Sequence, residues 1–203
     1  MSLARAIETG DLADLPSCRD EDWRWSDLRG LIRALPAPSP VRMERMIVPA
    51  GETRRVDLAF ASTRAEARVS RIAVEIGEGA GLVLCERYEG GDDSFAEVDL
   101  QIAVGRGARL HRLVIAADGE DAVSVSRADI ALPPCARLAQ SVLTGGARRQ
   151  RLETRVSHPG AGASVRLDAL YLLEGKRHAD ITTFVTHSGA GGVTDQLIKG
   201  VVR

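Results

Sequence analysis

Aromatic residues and lysines are scarce in this chain. Phe, Trp and Tyr make up 3% of its 203 residues, and Lys176 and Lys199 are its only lysines. The net charge is −1, and basic and acidic residues are interspersed along the sequence. Because a protein that binds nucleic acid presents a basic face, we expect no nucleic-acid partner.

Cysteines are also few, and long apolar segments are missing. Cys18, Cys85 and Cys135 are far apart and no CxxC pair occurs, so neither a disulfide framework nor a zinc site is expected. No apolar run approaches the roughly 18 residues that span a bilayer. The first 11 residues lack the apolar region of a signal peptide. These absences predict a cytoplasmic protein with no membrane contact.

A repeat runs through most of the chain. Four corner motifs, each an apolar residue followed by Pro or Gly, start 28 residues apart at Val48, Ile76, Val104 and Leu132. Two longer motifs, VSHPGAG from Val156 and VTHSGAG from Val185, start 29 residues apart. Gly and Pro suit corners, where the backbone needs a positive or a fixed φ. A fixed period of this length is typical of solenoids.

The residues before each corner alternate in polarity. Ile72, Val74 and Ile76 are apolar, and the positions between them are small or charged. Alternation of this kind, rich in β-branched residues, indicates a half-buried strand. A shift of one repeat places Val74 beside Ile102, and Ile102 beside Ile130. Inward positions are therefore predicted to stack on inward positions.

Two strands and two corners in each repeat describe one coil of a flattened solenoid. We therefore predict an all-β fold, a right-handed parallel β-helix of about 28 residues per coil, over residues 41–203. A β-sandwich does not explain a corner that recurs at a fixed spacing. The six-residue period of a left-handed hexapeptide helix is absent.

Residues 1–40 are predicted to form a small helical segment and a proline-rich linker. A first helix over residues 2–9 would end at Gly10. A second helix is predicted over residues 20–35, where apolar residues recur at intervals of three and four, at Trp25, Leu28, Ile32 and Leu35. The sequence PAPSP at 36–40 would end this helix in a stiff, extended link.

Both tryptophans, Trp23 and Trp25, lie in the segment EDWRWSDLRGL. Since stacked aliphatic residues fill a β-helix, we expect the tryptophans to lie outside the core. Three roles are open: they staple the N-terminal segment to the solenoid or cap its end, they dock another protein, or they stack on a base or sugar. The lack of neighbouring aromatics disfavours the third role.

Two segments resemble the SufB and SufD family of iron–sulfur cluster assembly proteins. EDWRWSDLRGL, residues 21–31, resembles a family segment of the form E-x-W-R-Y-T-D-L. Residues 169–202, ALYLLEGKRHADITTFVTHSGAGGVTDQLIKGVV, resemble the SufD core. The matching positions are Tyr171, Leu172, Gly175, His178, Asp180, Thr183, His187, Lys199, Gly200 and Val201. A parallel β-helix is also the fold that this resemblance implies.

The resemblance implies a non-catalytic scaffold of the SufD type. Such a protein would pair with a SufB-like paralogue and be driven by a SufC-like ATPase. The chain itself would have no catalytic residue, no cofactor and no bound metal, because the full-length complex handles the iron–sulfur cluster. The alternative is a polysaccharide-active β-helix enzyme, which needs acidic groups and aromatic sugar platforms. The seven aromatic residues are not clustered in the coils.

Two departures from the family pattern stand out. Asp195 occupies the place of a serine, and Ile198 that of an aromatic residue. The family also continues past Lys-Gly-Val with more coils, a K-C-S-H-G-A-T motif and a C-terminal helical domain. We therefore expect either a truncated form or a naturally short relative, which in both cases lacks the helical domain. Its exposed strand edge at 197–202 would favour a homodimer.

The candidate metal ligands are histidines and cysteines. The four histidines are His111, His158, His178 and His187. His158 and His187 occupy the same corner one coil apart and are expected to stack, where they would either share a metal ion or bond to corner carbonyls. Cys85 is expected to be a buried free thiol, out of column with Cys135. No nucleophile elbow, P-loop or Ser-His-Asp spacing occurs.

Overall fold

The computed structural model describes residues 1–203. It contains one α-helix, α1 (Leu3–Thr9), two short 3₁₀ helices (Leu12–Asp14 and Glu21–Trp23) and twelve strands. The strands are β1 (Arg42–Val48), β2 (Thr53–Ser62), β3 (Ala67–Ile76), β4 (Gly81–Gly90), β5 (Phe95–Val104), β6 (Arg109–Ala116), β7 (Val123–Ala131), β8 (Arg137–Thr144), β9 (Arg149–His158), β10 (Ser164–Leu173), β11 (Ala179–His187) and β12 (Val193–Val202). No helix is long and apolar enough to cross a membrane.

The twelve strands form two six-stranded parallel sheets. Sheet 1 has the order β1-β3-β5-β7-β9-β11, and sheet 2 has the order β2-β4-β6-β8-β10-β12. Each coil contributes one strand to each sheet, so the chain winds through about six turns of a right-handed parallel β-helix. The predicted fold class is confirmed.

The register within sheet 1 follows the predicted columns. Val74 pairs with Ile102, and Ile102 pairs with Ile130. The shift between neighbouring coils changes later in the chain, to 26 residues where Val123 pairs with Arg149. Corners absorb these changes, so that inward side chains stay in column. A continuous cluster of 28 buried apolar residues fills the interior.

The N-terminal segment packs on the outer face of sheet 1. Helix α1 begins after Ser2, whose side chain accepts a hydrogen bond from Arg5 N, and ends at Gly10 in the left-handed conformation (φ 72°). The predicted first helix is therefore confirmed. A second apolar cluster joins the segment to the early ends of β3, β5 and β7, through Leu3, Ala4, Ala6, Ile7, Leu15, Leu28 and Ile32 on one side and Ala67, Val69, Phe95, Val123 and Val125 on the other.

The predicted second helix, residues 20–35, is wrong. Only Glu21–Trp23 form a single 3₁₀ turn there. The carbonyl of Pro16 accepts hydrogen bonds from the backbone N–H groups of residues 28 and 29, which a helix would direct four residues back. The Asp27 side chain accepts a bond from Gly30 N, a local bond that competes with helix formation. The apolar residues of this segment are therefore buried by an irregular backbone and not by a helix, as Leu28 and Ile32 show.

Candidate functional site: the motif junction and the buried polar networks

The two segments that resemble the family meet in space, although they are about 150 residues apart in sequence. Ser26 is fully buried, and its hydroxyl donates to Asp180 Oδ2 at 2.5 Å. The imidazole Nε2 of His178 donates to the backbone carbonyl of Trp25 at 3.1 Å. We call these residues the motif junction. It fixes the chain at Trp25 and Ser26 against the start of β11.

Arginine 151 connects the junction to the solenoid. The Arg151 guanidinium bonds to Asp180 Oδ2 at 2.6 Å and to Glu153 Oε2 at 2.6 Å. Burial alone would raise the pKa of Asp180, but bonds from Ser26 and Thr182, with the charge of Arg151, hold that pKa below its usual range. A carboxylate is therefore maintained at the centre of the junction.

The two tryptophans have different environments. The Arg151 guanidinium lies over the Trp23 ring, 4.7 Å from its centroid, which is a cation–π geometry. Trp23 thus staples the N-terminal segment to the solenoid, one of the roles that the sequence left open. Trp25 is 76% exposed, and only Arg24 lies over its ring. Stapling does not explain this second side chain.

Other positions of the second motif have structural roles. Tyr171 pairs with Gly200 across β10 and β12, and a Cβ at position 200 would collide with the Tyr171 ring. Gly175 turns the chain with a φ of 67°. Gln196 Nε2 donates to Thr183 Oγ1 at 2.8 Å, bridging the two strands of the last coil. These contacts give a physical reason for the tyrosine, glycine and threonine of the pattern.

A charged network that the sequence analysis missed lies inside the solenoid. The carboxylate of Glu86 and the guanidinium of Arg112 form a two-point ion pair at 2.6 and 2.7 Å, and both residues are buried. Tyr88 OH donates to Glu86 at 2.8 Å, and Arg112 Nη1 donates to Gln140 at 2.7 Å. Burial raises the pKa of Tyr88, and the charge of Glu86 adds to this effect.

A signal for this network is present in the sequence. Glu86 follows Leu82 and Leu84 at the inward parity of β4, and Arg112 follows Leu110 at the inward parity of β6. A charge at an inward position of a strand must find a partner inside the core. The 26-residue separation places the two residues on adjacent strands, two residues out of register, because Arg112 pairs with Leu84.

A second buried network lies at the corners where the chain passes from sheet 2 to sheet 1. Asp118 Oδ1 accepts from Gly90 N at 2.7 Å, and Asp118 Oδ2 accepts from Gln150 Nε2 at 2.7 Å. Gln150 Oε1 in turn accepts from the Thr144 hydroxyl. Each carboxylate oxygen thus has a partner. Together, the two networks fix the relative position of coils through directional bonds that aliphatic stacking does not supply.

His158 and His187 stack as predicted, with ring centroids 4.3 Å apart in an edge-to-face arrangement. His158 Nδ1 accepts from Gly160 N at 3.2 Å, so the neutral ring carries its proton on Nε2. The Thr194 hydroxyl lies 3.5 Å from His158 Nε2 and 3.4 Å from His187 Nε2. A metal at Nε2 would move that proton to Nδ1 and break the bond from Gly160 N, which favours the structural role. Burial, followed by the charge of His187, lowers the pKa of His158.

The bonds of His158 differ from those predicted. The ring bonds to a backbone N–H and a hydroxyl, whereas the sequence analysis expected corner carbonyls. His111 is exposed on the outer face of sheet 2, where it pairs with Ala139 and does not share the column of His158 and His187. No group of three or more His, Cys, Asp or Glu side chains is arranged to hold a metal ion.

The cysteines do not come together. Cys85 is half-buried on the outward parity of β4, so the expectation of a buried thiol is wrong. Outward and inward parity follow from the register, and Cys85 lies between the buried Leu84 and Glu86. Cys135 is exposed in a corner with a φ of 61°, where earlier coils have glycine, and its thiol lies 3.6 Å from the carbonyl of Ala161.

Comparison with known proteins places the chain in a family. A family model described as "SUF system FeS cluster assembly, SufBD core domain" matches residues 59–203. Comparisons with curated proteins and with solved structures gave no match. The matched range runs from within β2 to the last residue and includes both buried networks and the histidine pair. This family match favours a role in cluster assembly over that of a polysaccharide-active enzyme. The chain therefore belongs to the SufBD core domain family of the SUF system for iron–sulfur cluster assembly.

Proposed function

We propose that this protein is a non-catalytic, SufD-like scaffold of a cytoplasmic iron–sulfur cluster assembly complex. The observation that carries the proposal is the family match over 59–203, joined to the contact between the two segments that resemble SufD. The cluster is the cargo of the complex, and this chain supplies shape and docking surfaces for it. A SufB-like paralogue is its partner, and a SufC-like ATPase drives the assembly.

The exposed side of the last coil offers a surface for the SufB-like partner. β11 and β12 are the terminal strands of sheets 1 and 2. β12 is exposed along nearly its whole length, including the apolar side chains of Val193, Val201 and Val202. An unpaired strand edge presents N–H and C=O groups that add a strand from another chain. The same edge would support a homodimer when the paralogue is missing.

Copurification tests this proposal. A tagged form of this chain is coexpressed with a SufB-like and a SufC-like protein, and the complex is measured by size-exclusion chromatography with light scattering. We expect a stable complex containing all three chains, and a homodimer or larger species from this chain alone at high concentration. The variant Val202→Lys places a charge on the exposed edge and should weaken both associations.

The matched control is Val83→Lys, an exposed valine on the outer face of β4, away from the edge. It should leave both associations unchanged. Failure to copurify with any SufB-like protein, together with a strictly monomeric profile, would exclude the scaffold role proposed here. ATP hydrolysis or sugar cleavage by the chain alone would equally contradict it.

A further inference from the structure

The N-terminal segment covers part of the outer face of sheet 1 but leaves the outer face of sheet 2 exposed. The N-terminal segment covers the early ends of the strands in sheet 1, where it buries apolar side chains such as Val69, Phe95 and Val125. Within residues 1–203, no segment covers the outer face of sheet 2, and its outward aliphatic side chains are exposed. Exposed apolar residues that form a contiguous group mark interaction sites more often than scattered ones do.

Three of these side chains lie in one row across the strands. Ile115 pairs with Leu143, and Leu143 pairs with Leu170, on β6, β8 and β10. They are exposed by 36%, 41% and 37% respectively, although each is a large aliphatic residue. We call this row the sheet 2 stripe. Leu113, which is 38% exposed, widens it on β6.

A cation ends the stripe on each side. Arg87 on β4 pairs in register with Ile115, and Lys199 on β12 pairs with Leu170. Neither side chain has a carboxylate within ion-pair distance, whereas the nearby Asp57 and Asp168 are each paired with an arginine on their own strand. The row therefore reads cation, three aliphatics, cation, and the two cations are available for external carboxylates.

The spacing of the row distinguishes between possible occupants. Neighbouring strands are about 4.8 Å apart, so the row from Arg87 to Lys199 spans about 19 Å. An extended peptide repeats its side chains on one face about every 6.6 Å, which does not match. An α-helix presents residues i, i+3 and i+4 at rises of about 4.5–6 Å, and about 13 residues cover 19 Å. The stripe therefore fits a helix lying along the solenoid axis.

Charge excludes a second copy of the same face. Two stripes stacked in antiparallel orientation would oppose Arg87 of one copy to Lys199 of the other. In parallel orientation each cation would oppose itself. Both arrangements bring like charges together, which is destabilising. A partner with carboxylates near both ends of its apolar row has the required complementarity.

We propose that the sheet 2 stripe is a docking site for an amphipathic α-helix of a partner protein. The partner helix is about four turns long and has an acidic residue one turn before and one turn after a row of three aliphatic side chains. Its aliphatic row packs on Ile115, Leu143 and Leu170, and its carboxylates pair with Arg87 and Lys199. This surface lies on the face of sheet 2, apart from the strand edge proposed for the SufB-like partner.

Three synthetic peptides of about 16 residues, each with a fluorescein label, test the site by fluorescence anisotropy at low salt. The first has the predicted pattern, with Glu at both ends of a Leu row at i, i+3 and i+7. The second replaces the two Glu by Lys. The third keeps the composition of the first but scatters the Leu residues around the helix. We expect the first peptide to bind at least tenfold tighter than the other two.

Variants of the protein show whether the peptide binds at the stripe. Leu143→Asp should weaken the first peptide at least tenfold, and the double variant Arg87→Glu/Lys199→Glu should prefer the lysine-ended peptide. Ala103→Asp, on the outward face of sheet 1, is the matched control and should change nothing. All of these positions are exposed, and a thermal melt checks that each variant folds.

Three results would overturn the proposal. The first is equal or no binding of the three peptides up to millimolar concentration. The second is binding that Leu143→Asp leaves unchanged. The third is binding to anionic phosphatidylserine vesicles without preference for the acidic-ended peptide, which would identify a lipid surface as the occupant. Copurification with a SufB-like protein does not depend on any of these outcomes, so the two proposals fail independently.

Discussion

Each inward side chain of this solenoid contacts the same position in the coils before and after it. Ile102 is 2% exposed and lies between Val74 and Ile130. Ile102→Asp should therefore destabilise the protein by on the order of 3–5 kcal/mol, because a buried carboxylate there has no partner. A thermal melt measures the loss. Ala103→Asp, the next residue but on the outward face, is the control and should melt within about a degree of the parent.

The ion pair of Glu86 and Arg112 predicts a different mutational pattern. Arg112→Met leaves the Glu86 carboxylate buried without its partner and should cost about 3–5 kcal/mol. The double variant Glu86→Met/Arg112→Met removes both charges and should recover most of that loss. Urea unfolding of the parent, Glu86→Met, Arg112→Met and the double variant measures the coupling free energy between the two residues. Two single losses that simply add in the double variant would contradict a direct pairing.

Glu97 gives the stability of the protein a dependence on pH. Its carboxylate is buried under α1 and accepts from Ala4 N at 2.5 Å; burial raises its pKa to about 7 from 4.5. The folded protein therefore holds this proton more tightly than the unfolded chain does. The stabilisation is complete below pH 4.5 and is lost as pH rises through 7, by about 3 kcal/mol in all.

The variant Glu97→Gln tests this dependence. It keeps an acceptor for Ala4 N and removes the titration, so its free energy of unfolding should vary less than that of the parent between pH 5 and 8. Denaturant titrations at four pH values measure both proteins. A parent that becomes more stable than the variant as pH rises over this range would reverse the predicted sign.

At the scale of elements, the N-terminal segment is held by Trp23 and not by Trp25. Trp23→Ala removes the contact with Arg151 and should cost about 1–3 kcal/mol, whereas Trp25→Ala should change stability by less than about 0.5 kcal/mol. Because the chain has two tryptophans, each variant reports on the other. Acrylamide should quench the fluorescence of Trp23→Ala more strongly than that of Trp25→Ala. Equal quenching would show that both rings are equally accessible.

The strands could be predicted from the sequence because their signal is local and repeated. The alternation of Ile72, Val74 and Ile76 recurs one coil later, and a single register satisfies all coils. The irregular course of residues 20–35 could not be predicted in this way. Its backbone groups bond to Pro16 and its Ser26 bonds to Asp180, and neither partner is near in sequence. Apolar spacing alone does not distinguish a helix from a chain pinned at such points.

In the candidate site, too, the features set by the repeat could be predicted, and those set by contacts between distant segments could not. The stacking of His158 on His187 followed from the repeat, since both occupy the same corner. The meeting of the two family-like segments did not, because it depends on where the N-terminal segment crosses sheet 1. The Glu86–Arg112 pair could have been found from inward parity. Its bonds to Gln140 and Tyr88 could not be predicted, because they depend on how side chains of three strands meet inside the solenoid.

At the scale of the whole molecule, we predict that this chain alone retains no iron–sulfur cluster. A cluster needs about four thiolate-type ligands, with histidine replacing some of them in certain sites. Cys85 lies on the outer face of β4 and Cys135 in a corner, and no group of three or more His, Cys, Asp or Glu side chains is arranged to hold a metal ion. Anaerobic reconstitution with iron and sulfide, desalting and an absorbance scan measure retention. Stoichiometric iron with a visible chromophore, abolished by Cys85→Ala or Cys135→Ala, would contradict the prediction.

The course of the N-terminal segment across sheet 1 has a consequence for cooperativity. A solenoid whose coils touch only their neighbours unfolds like a one-dimensional chain, and its ends can fray independently of its middle. Here the segment bonds to Glu97 on β5 through Ala4 and to Asp180 on β11 through Ser26. Coils three turns apart are thus linked through the N-terminal segment. Unfolding of the last coil would break the bond between Ser26 and Asp180, so early and late coils are expected to unfold together in a single transition.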